Sequence, residues 1–264
     1  MHEFGRFQNV LSGSTTIIDP QFPRLDSKIF ELLFSLSFDD FMAAEIGNPI
    51  EHHLAVLQLS LEIGIEENLN RLVVGAIALL HDIAPVEKIR TVDIALEKDQ
   101  GRKNVLEQKR KQHRILHMRE GSAMAHRKLL LVNEYCGRVV FGDEEIDQVC
   151  EVIRIHDNPS ISLPIPKDSR VATAFREADR LWMLSDLGFS YDIERDVSKS
   201  GIRDDIGELA AKRLDHVQQR YREERRLYSS EQGPFQDEEL FFRTKAGYRI
   251  YQRYLDERKK QYGL

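Results

Sequence analysis

Residues Leu72–Asp82, LVVGAIALLHD, decide the fold of this chain. Nearly every position before His81 is apolar, so a helix here is hydrophobic all round and must lie in the protein interior. No Arg or Lys lies one turn before Asp82 to pair with it, and an unpaired buried carboxylate is costly. The stretch therefore predicts either a cation bound at His81 and Asp82 or a helix end at the surface, where a histidine favours the helix dipole.

A second histidine lies on a strongly periodic segment that begins near Pro49. At about 100° per residue, His52 shares one helical face with the apolar residues Val56 and Leu59. A histidine on such a face is either a satisfied core residue or a ligand. His53 lies between the apolar faces and is expected at their edge, so His52 is the better ligand candidate.

Three histidines lie near the next predicted helix. His117 shares a face with Gly121 and Ala125, whose small side chains allow a neighbouring helix to approach closely. His126 points about half a turn away from His117. His113 shares the face of His117 but lies in a strongly charged stretch, so His117 is the candidate.

Two further candidates lie on later predicted helices. Asp143 is expected to cap a helix whose apolar stripe carries His156 inward, next to a proline-rich loop. Asp157 is interpreted as a cap or a surface residue. Asp179 lies on an apolar, aromatic face, where a carboxylate is out of place unless it is paired or binds a cation. Arg180 points about 100° away, so it is expected to face a substrate phosphate rather than to neutralise Asp179.

The order of these residues, His, His-Asp, His, His, Asp, resembles the ligand pattern of the HD-domain superfamily of metal-dependent phosphohydrolases. The resemblance extends from about His52 to Leu187. Many relatives have a lysine where this chain has Pro85, and Lys88 or Arg90 are the residues that could replace it. The resemblance implies six metal ligands, namely His52, His81, Asp82, His117, His156 and Asp179.

The resemblance also implies two divalent ions bridged by Asp82. His52, His81, Asp82 and Asp179 would hold one ion, and Asp82, His117 and His156 would hold the other. Histidine and carboxylate ligands suit iron, manganese or cobalt. No other cofactor is expected.

The implied activity is hydrolysis of a phosphate ester or anhydride by a metal-bound hydroxide. The expected catalytic residues are Asp82, His81 and Arg180. The ligand set is similar to that of bacterial dinucleoside-polyphosphate and cyclic-dinucleotide phosphohydrolases, so the expected partner is a small phosphorylated molecule of the nucleotide type. Two alternatives remain, a mixed-valence di-iron oxygenase of the same superfamily and a non-catalytic metal-bearing binding module.

Composition excludes several other classes of protein. A hydrophobic content of 41% and a charged content of 31% are typical of a soluble globular protein. The formal net charge of −6 argues against general nucleic-acid binding. Residues 1–20 lack an apolar signal-peptide core and no run is long enough to span a bilayer, so no membrane association and a cytoplasmic location are expected. Cys136 and Cys150 are too few for a disulfide framework.

We expect an all-α HD-domain helical bundle with an N-terminal arm and added C-terminal helices. The predicted domains are an arm with short packing helices at 1–45, the metal-binding domain at 46–190 and a helical extension at 191–264. Residues 1–23 carry turn residues and little periodicity, which predicts irregular structure. One helix is predicted from Asp26 to about Leu36, and a second short helix from Phe38.

Three segments complete the prediction. Residues 86–114 are rich in Lys and Arg and form either a solvent-exposed helical excursion or a lid whose cations neutralise a phosphate near the site. The stretch that begins with Gly188 is interpreted as a linker. The last helix has a broad aromatic face that includes Leu240, Phe241, Tyr248 and Tyr251. Such a face is typical of a core or an oligomer contact, here predicted to join a homo-oligomer, but it also suits nucleotide stacking.

Overall fold

The structure, a computed structural model, describes residues 24–44, 50–84, 97–156, 169–200, 206–228 and 242–264. Within these ranges the chain forms nine α-helices and no β-strand, which confirms the predicted all-α fold. None of the described helices is both long and apolar enough to cross a membrane. The helices are α1 (Arg24–Ala44), α2 (Ile50–Glu66), α3 (Arg71–Leu80), α4 (Gln100–Cys136), α5 (Asp143–Ile155), α6 (Arg170–Leu181), α7 (Asp186–Ser200), α8 (Ile206–Tyr228) and α9 (Lys245–Tyr262), with a short 3-10 helix at Trp182–Leu184.

The chain divides into two compact units, and each unit is discontinuous in sequence. The division falls within α2 and α3. The predicted domain boundaries near 46 and 190 stay predictions, and the irregular segment predicted at 1–23 lies outside the described residues. Among the described residues, the first unit comprises 24–44, 50–54, 75–84 and 97–156, and the second comprises 55–74, 169–200, 206–228 and 242–264.

The C-terminal half of α3 lies at the centre of the first unit. Every side chain from Ala76 to Leu80 is fully buried. This burial confirms the prediction of a helix that is hydrophobic all round. The helix ends at Leu80, and His81 and Asp82 occupy the turn that follows it.

Helix α4 is the longest described helix of the first unit and packs against α1 and α5. Its N-terminus is capped by the Asp99 side chain, which accepts a hydrogen bond from the backbone N–H of Arg102 at 2.7 Å. A Cβ atom at Gly121 would lie 3.5 Å from the carbonyl oxygen of His81 and 3.5 Å from the Ile153 side chain. The small residue thus brings α4 close to both the His81 turn and α5, as its position beside His117 predicted.

Helix α1 is continuous where the sequence predicted two helices. No glycine or proline interrupts residues 27–41, and the helix buries Phe34 and Phe41 on one side. Lys128 of α4 stabilises the C-terminal half of α1. The Lys128 ammonium donates to the Leu36 carbonyl at 2.5 Å and pairs with Asp40 at 2.6 Å. The prediction of a break near residue 37 was wrong because no residue there stops a helix.

The second unit is built mainly from α6, α7, α8 and α9, which pack against one another. The Phe242 ring stacks on Tyr251 with centroids 5.1 Å apart, and Tyr221 lies edge-on to both. Both Tyr221 and Tyr251 are buried. The aromatic face predicted on the last helix therefore belongs largely to the core, which disfavours the interpretation that it stacks nucleotides. Leu240 and Phe241, which the prediction included, lie outside the described residues.

Gly188 does not mark a linker. It lies in the first turn of α7, and a Cβ atom there would be 2.1 Å from the carbonyl oxygen of Trp182. The glycine is required by close packing against the preceding turn, and residues 186–200 are helical. The linker interpretation is wrong for this part, while residues 201–205 lie outside the described residues.

Candidate metal centre

Five of the six predicted ligands come together in the first unit. His52 lies in the first turn of α2, and His81 and Asp82 lie in the turn after α3. His117 lies in the middle of α4, and His156 is the C-terminal cap residue of α5. Four segments that are distant in sequence thus contribute to one cluster around the Asp82 carboxylate.

The Oδ1 atom of Asp82 faces two histidines. It lies 2.8 Å from Nε2 of His117 and 3.0 Å from Nε2 of His156. Both imidazole rings are buried, and their centroids are 5.3 Å apart. These three side chains form one group of potential metal ligands.

The Oδ2 atom of Asp82 faces the other two histidines. It lies 3.3 Å from Nε2 of His81 and 3.6 Å from Nε2 of His52. The two Nε2 atoms are 3.0 Å apart, and both rings are buried. These side chains form a second group of potential metal ligands, so Asp82 is shared by both groups.

The remaining ring nitrogens fix the orientation of three imidazoles. Nδ1 of His81 lies 2.9 Å from the Ala78 carbonyl, and Nδ1 of His117 lies 2.9 Å from the Ala84 carbonyl. Nδ1 of His156 lies 2.7 Å from the carbonyl of Ile153. A carbonyl oxygen only accepts hydrogen bonds, so each Nδ1 carries the proton and donates. In the neutral ring Nε2 then presents a lone pair to the centre of the cluster.

This donor set fits a divalent cation. The Nε2 lone pairs of His117 and His156 face Oδ1 of Asp82. The contact between these lone pairs and the carboxylate oxygen is repulsive unless a proton or a cation lies between the atoms. Ligand atoms bound at about 2.1 Å and at right angles around one ion are about 3 Å apart. The 2.8–3.6 Å contacts of Asp82 match that spacing. A cation would replace repulsion with coordination, and the clustered His and Asp residues therefore indicate divalent metal binding.

Asp82 is held in its ionised form. Burial alone would raise its pKa, but the positive charge of His81 and hydrogen bonds from His117, His156 and His81, which form when a proton rather than a cation lies at their Nε2 atoms, outweigh burial. The pKa of Asp82 consequently lies well below its ordinary value. The cluster thus holds an anionic ligand at neutral pH, as metal coordination requires.

His53 lies beside the centre but in neither group of potential ligands. It was expected at the edge of α2, and the structure instead buries it, because its ring packs 4.8 Å from Phe41 and 5.3 Å from His81. Its Nδ1 lies 3.1 Å from the Leu79 carbonyl. Burial, followed by the charges of His81 and His52, lowers the pKa of His53 well below its ordinary value, so its ring is neutral. His53 therefore supports the last turn of α3 rather than the cluster directly.

Asp179, the sixth predicted ligand, lies on α6 in the second unit. The structure pairs it with the neighbouring Arg180, whose Nε also donates to both carboxylate oxygens of Glu224 at 2.8 and 2.7 Å. The expectation that Arg180 does not neutralise Asp179 was wrong, because a long flexible side chain can bend back to an adjacent residue. The metal role of Asp179 and the catalytic role of Arg180 stay predictions.

Two further candidates that the structure describes fall outside both groups. His126 is exposed and His113 is partly buried, one turn before His117. Pro85, Lys88, Arg90 and Asp157 lie outside the described residues. Sequence reasoning missed the three backbone carbonyls that orient the rings, because a carbonyl has no signature in residue identity.

One comparison with known proteins identifies a family. The model of the HD domain matches residues 50–184, just over half of the chain. This range includes every residue of the two groups around Asp82 and also Asp179. Searches of curated proteins and of solved structures find no match. Together with the matched range, the shared His and Asp cluster leads to one conclusion: this chain belongs to the HD domain family.

Proposed function

We propose that this protein is a metal-dependent phosphohydrolase that cleaves a phosphate ester or anhydride of a small, nucleotide-type substrate. The observation that carries the proposal is the sharing of Asp82 between two histidine pairs, one at each carboxylate oxygen. The HD domain family includes metal-dependent hydrolases, which supports the reaction class. The nucleotide-type substrate is supported by the resemblance of the ligand set to those of nucleotide phosphohydrolases.

The residues of the cluster would each have a defined role. His52, His81, His117 and His156 would hold divalent metal, and the anionic Asp82 would bind between the two pairs. Bound divalent metal supplies a water nucleophile at neutral pH and polarises a phosphoryl oxygen. The backbone carbonyls of residues 78, 84 and 153 would hold the imidazole rings of His81, His117 and His156 in fixed orientations before substrate binds.

No side-chain nucleophile is needed for this chemistry. The sequence contains neither a phosphate-binding loop of the Gly-x-x-x-x-Gly-Lys type nor a Gly-x-Ser-x-Gly motif. Each of the four histidines is buried, so the cluster is shielded from bulk water and its electrostatic interactions are correspondingly strong. Strong electrostatic interactions at the cluster favour attack by a metal-activated water on a phosphoryl group.

The test combines metal analysis with a phosphate-release screen. Anaerobically purified protein should contain a divalent metal and release phosphate from members of a panel of nucleotides and phosphomonoesters. Asp82→Ala should remove both the metal and the activity. His126→Ala is the matched control, because His126 lies on the same helix as His117 but is exposed, and it should change neither.

Three results would contradict the proposal. The first is turnover that persists after the metal is removed. The second is oxygen consumption with an organophosphonate or a polyol and no phosphate release, which would indicate the oxygenase alternative. The third is full metal occupancy without turnover of any substrate in a broad panel, which would indicate a binding module.

A further inference from the structure

The N-terminal half of α4 is strongly basic. Residues 100–116 include six Lys or Arg side chains and one Glu, in a chain whose net charge is −6. None of these seventeen residues is buried. The segment runs directly into His117 as one unbroken helix, so its geometry relative to the candidate metal centre is set by helical periodicity.

One face of this segment is partly covered, and it is the face of His117. Five of the residues 100–116 are partly buried, and the rest are exposed. At 100° per residue, all five lie within about 60° of the direction of His117. They are Lys103, Leu106, Arg110, His113 and Arg114.

Arg114 and Arg110 are the two partly buried guanidinium groups on this face. With a rise of 1.5 Å per residue, they lie about 4.5 Å and about 10.5 Å before His117 along the helix axis. Their angular offsets from His117 are about 60° and about 20°. A guanidinium binds phosphate oxygens through two parallel hydrogen bonds, and its long side chain spans several ångströms.

We propose that Arg110 and Arg114 bind a phosphate group beyond the one that is cleaved. This inference rests on the proposed function for the scissile phosphate at the Asp82 cluster. A single phosphoryl group at the cluster cannot also reach the Arg110 guanidinium, because Arg110 lies about 10.5 Å, nearly two helical turns, before His117 and helical side chains tilt toward the N-terminus. The substrate class is therefore one with at least two linked phosphates, such as a nucleoside diphosphate or triphosphate, rather than a simple phosphomonoester.

The exposed cations of the same segment provide a built-in comparison. Lys109 and Lys111 flank Arg110, carry the same charge and are exposed. A general electrostatic attraction of a polyanion would depend on both pairs alike. A phosphate subsite on the His117 face that is formed by Arg110 and Arg114 does not depend on Lys109 and Lys111.

The test measures equilibrium binding to the full-length protein as purified with its metal, by titration calorimetry. The probes are inorganic tripolyphosphate and inorganic phosphate. Arg110→Gln/Arg114→Gln should weaken tripolyphosphate binding by about tenfold or more, the loss of about one bidentate charged contact, and phosphate binding by less than about twofold. Lys109→Gln/Lys111→Gln, the matched control, should change both affinities by less than about twofold.

Two outcomes would overturn the inference. One is an unchanged affinity of Arg110→Gln/Arg114→Gln for tripolyphosphate. The other is a loss of tripolyphosphate affinity in the lysine control as large as that in the arginine variant. If the double variant does not fold, Arg114→Gln and Arg110→Lys/Arg114→Lys take its place, and the lysine variant should retain charge but lose most of the preference for tripolyphosphate. The binding measurement requires no turnover. An absence of phosphate release would therefore count against the proposed function, while the calorimetric affinities would still test the role of Arg110 and Arg114.

Discussion

Replacing Asp82 by Asn is the most direct perturbation of the candidate metal centre. The amide keeps the size of the side chain but removes its charge, and Asp82 is the residue that both groups of potential ligands share. Loss of a partner that only orients a ligand already lowers metal affinity by about 10–100-fold. We therefore expect at least a hundredfold loss in affinity for Asp82→Asn.

This loss converts into a measurable shift in thermal stability. At a free metal concentration about 100 times the wild-type Kd, bound metal stabilises the folded state by about 2.7 kcal/mol. The same concentration equals the Kd of the variant and contributes only about 0.4 kcal/mol. For a chain of this size, the difference of about 2.3 kcal/mol corresponds to roughly 5–9 °C in Tm.

The assay is thermal unfolding with and without a chelator, together with the metal content per chain. A chelator should lower the Tm of the wild type and of the exposed control His126→Ala by the same amount, and should hardly change that of Asp82→Asn. Wild-type metal content in Asp82→Asn, or a wild-type Tm that the chelator leaves unchanged, would refute the reasoning.

Two further predictions concern packing and thiol chemistry. Gly247→Ala should lower the free energy of unfolding by about 2–3 kcal/mol, because its Cβ would lie 2.1 Å from Oε2 of the buried Glu177. Gly64→Ala, where the nearest contact is 3.6 Å, should be neutral or slightly stabilising in denaturant titrations, and equal losses in the two variants would contradict this explanation. Burial raises the pKa of the Cys150 thiol, so its alkylation by iodoacetamide should reach half its maximal rate at a higher pH in the folded than in the unfolded chain, and coincident profiles would count against it.

The sequence predicted the cluster well because its members conflict with their surroundings. His52 and His117 lie on faces that otherwise bury apolar or small residues, and Asp82 follows a fully apolar helix. Hydrophobic burial explains why the neighbouring positions are apolar, but it does not explain a histidine or an aspartate among them. Each such residue therefore indicates a role other than core packing, such as metal binding. Several such conflicts in a recognisable order are far more informative than one.

Helix continuity was harder to predict. The sequence changes at about Ile115 from a charged to a more apolar composition, and this suggested a boundary between the charged excursion and the helix of His117. The structure has one helix from Gln100 to Cys136. Composition determines which face is buried, whereas continuity depends on helix breakers, and no proline lies within these residues.

Side-chain direction and discontinuous packing were also beyond the sequence. The direction of Arg180 was predicted from its Cα position alone, yet its guanidinium contacts both Asp179 and Glu224. Glu224 is forty-four positions away along the chain, and no local pattern connects the two. The chain passes from the first unit to the second within α2 and returns to the first within α3. The periodicity of a single helix cannot reveal such a division.

Three imidazoles of the candidate centre are oriented by hydrogen bonds to main-chain oxygens rather than to side chains. Whatever amino acid occupies positions 78, 84 and 153, the peptide oxygen is retained, so substitutions there that preserve the backbone path do not abolish the aiming contacts. Point mutation can remove the ligands themselves far more easily than the scaffold that orients them. Homologues could therefore diverge widely around the cluster while the histidines keep the same tautomers.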